Sequence, residues 1–304
     1  VGEITRLALL ADVHGNLPAL EAVLEDIRQR GADGIIVAGD STGGPQQVEV
    51  IDRLRAVTGC MIRGNNEDYL LAYRDGDVPD SWWMSKQWAM MRWSYRQLDS
   101  ETLDFIVSLP GQMVIELERL GPVRVLHGSP RSASEHLYPD QDPEALAVFR
   151  WAGMLPAERD PVPLKVALDG VGEPLVVCGH SHIPWQQELA DKLVVNPGSV
   201  GAGNNGDPRA QYAMLTKKGS RVTVTFRAVP YDLGRVRAAY KRSGLLAEGG
   251  GFARACLRGI ETGRNIPLEL VTYAYQVASQ AGHDGEGVLP DDLWQRAVDS
   301  FRWE

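Results

Sequence analysis

Cysteine is scarce in this chain: Cys60, Cys178 and Cys256 are the only three in 304 residues. They are too few and too far apart for a disulfide framework or a CxxC pair, a usage that fits a reducing compartment, so a cytoplasmic protein is expected. No stretch approaches the ~20 consecutive apolar residues that span a bilayer, and none has the pattern of a signal peptide, so membrane association is not expected. Positive charge is also short, with 31 Lys and Arg against 40 Asp and Glu and a net charge of −9. General nucleic-acid binding, which depends on clustered cations neutralising phosphates, is not expected either. Internal repeats and low-complexity tracts are lacking.

The chain does have a hydrophobic fraction of 44%, enough for a full core, and a length suited to one large α/β domain with an appendage. It also has six histidines, four of which fall in short polar blocks: Asp12-Val13-His14, Gly39-Asp40, Gly64-Asn65-Asn66-Glu67, His127-Gly128 and Gly179-His180-Ser181-His182. Each block follows a short apolar run, at 7–11, 34–38, 60–62, 123–126 and 175–178, as strands delivering side chains from their carboxyl ends would. The bordering glycines suit sharp strand-to-loop turns. His136 and His283 lie in polar stretches with no comparable partner. Imidazole, carboxylate and amide oxygens together suit a divalent ion such as Mn²⁺, Zn²⁺ or Fe²⁺, whereas an all-oxygen cage for Ca²⁺ would not call for histidine.

In this order the blocks resemble the calcineurin-like metallophosphoesterase superfamily, whose pattern is D-x-H, G-D, G-N-H-D/E, H and G-H-x-H. The resemblance runs from Leu7 to Val200, and residues 196–213 look like its bacterial branch of small phosphoesterases. It implies a four-layer αββα sandwich with helical insertions and a helical C-terminal tail. It implies two divalent ions, manganese first, with iron, zinc, nickel or cobalt as alternatives. Asp12, His14 and His182 would hold one ion, Asn65, His127 and His180 the second, and Asp40 would bridge them, with a metal-bridged hydroxide as nucleophile.

The chain departs from the pattern at Asn66, where the superfamily has a histidine that assists substrate binding or protonates the leaving oxygen. Asparagine has no titratable proton. Glu67, the partner of the missing histidine, reads equally as an acceptor bracing the site or as an acidic residue in the first turn of a helix. Asp40, Asn66, Glu67 and Arg63 are therefore the expected catalytic group, and Arg63, Asn66 and Arg131 the expected substrate binders, since guanidinium matches phosphate oxygens in a fork.

Residues 1–230 are expected to form the core, with insertions at 68–112 and 131–173, and 231–304 a helical extension packed on the core or on another subunit, leaving a homo-oligomer open. Helical periods cover 17–30 and 46–57, and strand patterns cover 210–215 and 221–229. Trp82, Trp83, Trp88 and Trp93 make the first insertion a helical subdomain, one or two of whose aromatics contact substrate. The expected function is hydrolysis of a small or cyclic nucleotide-type phosphodiester, with weaker monoesterase activity. The alternatives are a protein serine/threonine or small-molecule phosphomonoesterase and, more remotely, a metal-free interaction scaffold.

Overall fold

The computed structural model describes residues 6–303 apart from 119, 190 and 285. The first half of the chain runs β1 (Arg6–Leu10), α1 (Leu17–Arg30), β2 (Gly34–Ala38), α2 (Gln47–Arg55), β3 (Met61–Ile62), α3 (Asn65–Asp75), α4 (Asp80–Met84), α5 (Ala89–Arg96), α6 (Ser100–Ser108), β4 (Gln112–Leu117) and β5 (Gly121–Leu126). There follow α7 (Pro143–Trp151), α8 (Leu164–Ala167), β6 (Leu175–Val177), β7 (Pro184–Leu189), β8 (Lys192–Pro197), β9 (Ala210–Lys218) and β10 (Arg221–Val229). The C-terminal part is helical: α9 (Leu233–Arg242), α10 (Leu245–Glu248), α11 (Gly250–Thr262), α12 (Ile266–Gln280) and α13 (Asp291–Ser300).

Two five-stranded mixed sheets result, ordered β10-β9-β1-β2-β3 and β4-β5-β6-β8-β7. Strand alternation decides which layer each side chain joins. Leu7 and Leu9 of β1 pack with Ile36, Val123, Val125, Val177 and Val195 between the sheets. Ala8 and Leu10 face the other way, onto Leu20, Val23 and Ile27 of α1 and Val50 and Leu54 of α2. On the far side of the second sheet, Val176, Trp185 and Val194 pack against Phe149 of α7 and Leu164 of α8. The order is helix, sheet, sheet, helix, the expected αββα sandwich.

Local sequence explains why these elements start and stop where they do. Asn16 caps α1 by accepting from the Ala19 N–H, Pro18 sits in its first turn, and Gly31 ends it at φ 65°. Beyond the sandwich, Met90 and Trp93 of α5 are buried with Val236, Tyr240, Leu245, Ala253 and Ile260 of the C-terminal helices. Helix α5 of the tryptophan-rich insertion and α9 to α11 thus share one buried cluster, and truncating Trp93 to alanine would cost ~3–5 kcal/mol. Among the described residues no helix is long and apolar enough to cross a membrane.

Candidate active site

The parallel strands β1, β2, β5 and β6 end on one side of the sandwich, and the five sequence blocks meet there. Asp12, His14, Asp40, His180 and His182 have φ of 57°, 48°, 52°, 68° and 57°, and among the described residues no other non-glycine has positive φ. Backbone bonds hold the turns: Asp12 N–H donates to Gly39 O at 3.0 Å, His14 N–H to Asp40 O at 3.0 Å, and Gly201 N–H to Asp12 O at 2.9 Å. Glycine is obligatory at Gly39, where φ is 88° and a Cβ would lie 2.7 Å from His127 Nδ1.

The side chains converge in two donor groups, one of Asp12, His14 and His182 and one of Asp12, Asp40 and His127. His14 Nε2 lies 3.0 Å from His182 Nε2, and His182 Nε2 lies 3.4 Å from Asp12 Oδ1. His127 Nε2 is 3.1 Å from Asn65 Oδ1 and 3.4 Å from Asp40 Oδ2, while Asp40 Oδ2 is also 3.7 Å from His14 Nε2. Asp40 therefore faces both groups. His180 completes the cluster, its ring 5.3 Å from that of His127.

This donor set fits divalent cations. His127 Nδ1 donates to Ala38 O at 2.7 Å and His182 Nδ1 to Ala202 O at 2.6 Å, which turns each Nε2 into the cluster as the atom a metal would take in exchange for a proton. Two imidazole nitrogens facing each other at 3.0 Å, beside two buried carboxylates, call for shared positive charge.

Electrostatics follow from the same geometry. Burial alone would raise the Asp12 carboxyl, but the His182 and His127 imidazoles outweigh it and hold it below the ordinary carboxylate range. Asp40 is likewise lowered against its burial, chiefly by His127. Burial would lower His127, yet Asp40 and Asp12 lift it to about 10. Burial and the facing His182 bring His14 down to about 4. The field that draws a proton to His127 would draw a dication too.

Of the remaining expected site residues, Asn66 lies on the cluster, donating from its backbone N–H to Asp40 Oδ1 at 2.9 Å and from Nδ2 to Asp40 Oδ2 at 2.5 Å. Glu67 sits in a bracing position, one of the two readings its sequence context allowed. Its buried carboxylate accepts from Asp40 N–H at 3.0 Å, Gly64 N–H at 2.7 Å, and Thr42 N–H at 2.8 Å and hydroxyl at 2.7 Å. It ties the second block to the third and does not line the cavity.

Arg63 and Arg131 are not brought to the cluster. The Arg63 guanidinium is held by Asp68 Oδ1 at 2.7 Å and Leu109 O at 2.5 Å, and Arg131 by Glu135 Oε1 at 2.6 Å and Ala167 O at 3.2 Å. Each arginine bridges a near carboxylate to a carbonyl on a distant segment, and neither lines the cavity.

The cluster forms the floor of a cavity of about 530 Å³. Two features of it escaped the sequence reading. His136, set aside as partnerless, lines the cavity and stacks on His180 with ring centroids 4.4 Å apart and planes at 27°. Arg264, between α11 and α12, is the one arginine or lysine in the lining among the described residues, and it pairs with Glu269 at 2.9 Å. Trp88 is the tryptophan of the insertion that reaches the cavity.

The calcineurin-like phosphoesterase superfamily domain matches residues 6–220, which include all the blocks on the cavity floor. The chain is similar to an uncharacterised protein of Methanocaldococcus jannaschii, 27% identical over 78% of this chain and 90% of that protein. It is similar to phosphodiesterase YfcE of Escherichia coli, 27% identical over 69% of this chain and 86% of the enzyme. Among solved structures, a metallophosphoesterase from Sphaerobacter thermophilus superposes with a TM-score of 0.62 at 25% identity, covering 86% of this chain and 100% of that one. A hypothetical protein from Pyrococcus horikoshii shares the fold, with a TM-score of 0.59 at 22% identity over 80% of this chain and 95% of that one. The two packed sheets, the converging donor groups and this match over more than two thirds of the sequence lead to one assignment: the chain belongs to the calcineurin-like phosphoesterase superfamily and is a phosphoric ester hydrolase.

Proposed function

We propose that the protein is a dinuclear metal-dependent phosphodiesterase acting on small diesters. Asp12, His14 and His182 would hold one divalent ion, Asn65, His127 and His180 the other, and Asp40 would face both. The mixture of imidazole, carboxylate and amide donors favours manganese, with iron or zinc next. Two ions bound there would activate water and stabilise charge on the phosphoryl oxygens.

The observation that carries the diester reading is the charge of the cavity. Arg264 is the only arginine or lysine lining it among the described residues, and it is already paired with Glu269. Apart from its floor the cavity is largely apolar, with Met90, Met91, Phe252 and Val271 in its wall. A diester carries one negative charge and two organic arms, a monoester up to two charges and one arm. A cavity with a single neutralised guanidinium and an apolar wall suits the former.

The chain's own groups act by positioning. Asn66 has no proton to give a leaving oxygen, so its amide orients Asp40 and offers a neutral contact to the phosphoryl group. Glu67 fixes the turn that carries Asp40, and the His136 ring packs on His180 and keeps it in place.

The test is hydrolysis of bis(p-nitrophenyl) phosphate against p-nitrophenyl phosphate, with protein stripped of metal and reconstituted with Mn²⁺. The diester should give the higher kcat/KM, and chelated protein should turn over neither. A monoester preference of about tenfold or more would overturn the diester reading and leave a phosphomonoesterase.

A further inference from the structure

The cavity wall away from the metal-ligand cluster is built by segments other than the strand ends that deliver the cluster. Trp88 and Met91 come from the first insertion, Met154 follows α7 in the second, and α11 and α12 lie beyond residue 220, outside the part of the chain that matches the family. Trp88, Met91, Met154, Phe252, Leu268 and Val271 are half-buried apolar side chains that line the cavity on this side. The wall is held in place from behind and from across. Met90 and Trp93 of α5 are buried in one cluster with Ala253 and Ile260 of α11. A Cβ at Gly153 would lie 3.7 Å from Leu268 Cδ2, so the second insertion meets α12. The Trp88 indole is backed by Trp82, with centroids 3.5 Å apart and planes at 14°.

The polar groups of this wall have little to offer a ligand. Arg264 pairs with Glu269 at 2.9 Å, and Asn265 caps α12 by accepting the Leu268 N–H at 3.3 Å. Gln87 Oε1 accepts the Leu289 N–H at 3.1 Å, and Asn204 Nδ2 donates to Ser181 O at 3.4 Å. Ser94 and Tyr240 are 0% and 1% exposed, and the Trp88 Nε1 atom is sealed from the cavity. What the wall presents is therefore methyl, thioether and aromatic surface. On the other side Asn65, Asn66 and Tyr69 of α3 join the metal-ligand cluster in lining the same space. The cavity is amphipathic, polar at its floor and hydrocarbon along this wall.

We propose that this wall is a pocket for a hydrocarbon arm of the substrate, an alkyl chain on one of the two alcohols of an amphiphilic phosphodiester. This rests on the diester reading, because it assigns the second organic arm. A chain laid along Met91, Phe252, Leu268 and Val271 removes apolar surface from water on both partners. A polar arm would give up its hydrogen bonds to water and meet side chains already tied to the protein, and an anionic arm would meet only the paired Arg264. Met91 and Met154 are unbranched and adjust to the shape of a flexible chain. The volume of about 530 Å³ lies in the range of sites that enclose a small organic ligand.

The experiment measures kcat/KM for the methyl, butyl and hexyl esters of p-nitrophenyl phosphate, which share a leaving group, in the Mn²⁺-loaded full chain. Burying one methylene is worth about fourfold, so the constant should climb along the series, and the hexyl ester should exceed the methyl ester by about tenfold at the least. The p-nitrophenyl ester of adenosine 5′-monophosphate, whose arm is larger but polar, should fall below the hexyl ester. Leu268→Asn and Met91→Gln exchange apolar for polar atoms from two different helices, and each should flatten the series, so either decides should the other not fold. A rise of less than about tenfold in the wild type, a nucleoside ester ahead of the hexyl ester, or a series unchanged in the folded variants overturns the pocket. Should none of these diesters be hydrolysed, the diester reading fails separately, and calorimetric binding of hexylphosphonate against methylphosphonate decides the pocket. Hexylphosphonate bound about tenfold tighter or more supports it, and a smaller difference overturns it.

Discussion

On the proposed two-metal site, replacing Asp40 by asparagine should remove both ions and with them the activity, and the geometry around Asp40 gives the reason that a nearly isosteric change cannot be absorbed. Asp40 Oδ1 accepts the Asn66 backbone N–H and Oδ2 the Asn66 side-chain amide. The new NH₂ group cannot replace Oδ1 without facing a backbone donor. It must therefore replace Oδ2, the atom 3.4 Å from His127 Nε2 and 3.7 Å from His14 Nε2, with Asn66 turning its own amide to accept. A donor then points where both cations would sit. At metal 100-fold above Kd, each filled site adds about 2.7 kcal/mol to unfolding stability, so two filled sites add roughly 5 kcal/mol. For a chain of this size that is a rise in Tm of about 10 °C. Thermal unfolding with and without Mn²⁺ reads this directly: the wild type should show the full rise, His14→Ala about half of it, and Asp40→Asn almost none, with metal content following the same order. Asp40→Asn with wild-type turnover and the full metal-induced shift would refute the ligand assignment.

Three further outcomes are expected. Asn66→His should improve hydrolysis of alkyl monoesters relative to aryl diesters, since a positioned acid contributes ~10²–10⁴ where the leaving oxygen is poor. The check is the ratio of the two kcat/KM values at fixed metal, and an unchanged ratio with metal bound would remove Asn66 as a source of diester preference. Asp26 accepts from Tyr212 at 2.6 Å, Arg30 at 2.9 Å and Arg227 at 3.2 Å. Burial would raise its carboxyl, but these partners bring it from 3.8 to about 2. The resulting stability, about 1–2 kcal/mol after solvent screening, is fully present above pH 3.8 and lost as pH falls through 2. Asp26→Asn should thus lower the urea midpoint at pH 7 and converge with the wild type in acid; equal midpoints at pH 7 would show that Asp26 contributes nothing net. His136→Ala should weaken binding of the ion held by His180, whereas His136→Phe, which keeps a ring against His180, should not; equal metal affinity in both would make the stack incidental.

The cavity floor was legible because strand ends deliver it. Asp12, Asp40, His127 and His180 each follow an apolar run, and parallel neighbours in a sheet bring such positions together whatever the rest of the chain does. The wall was not legible in the same way. The helical periods of α11 and α12 say that each buries a face, but no local pattern says that the buried surface is shared with Trp93 or that Leu268 borders a cavity. His136 sits in an unpatterned loop that reaches His180 only through the tertiary fold. Arg63 and Arg131 had a plausible type and position, yet the direction of a guanidinium depends on nearby acceptors, here Asp68 and Glu135, which motif order does not encode. The strands β4, β7 and β8 also passed unmarked, since their polar alternation is weak and their pairing, not their composition, makes them strands.

The backbone of the floor argues for function independently of any resemblance. A left-handed conformation costs an L-residue roughly 1–2 kcal/mol, which glycine avoids. The described chain honours that rule at 16 glycines with positive φ and breaks it at five residues, Asp12, His14, Asp40, His180 and His182. Backbone bonds such as Asp12 N–H to Gly39 O and His14 N–H to Asp40 O would hold with glycine at these positions too, although the Asp12 carboxylate also accepts the His180 N–H. The exceptions are confined to carboxylates and imidazoles whose side chains converge, so the strain is retained for what those side chains bind. The same reasoning covers charge: Asp12 and Asp40 are both buried within reach of His127 Nε2, an arrangement unfavourable without added positive charge. Backbone strain and buried charge are each a cost to the metal-free fold, and two divalent ions between these side chains would offset both.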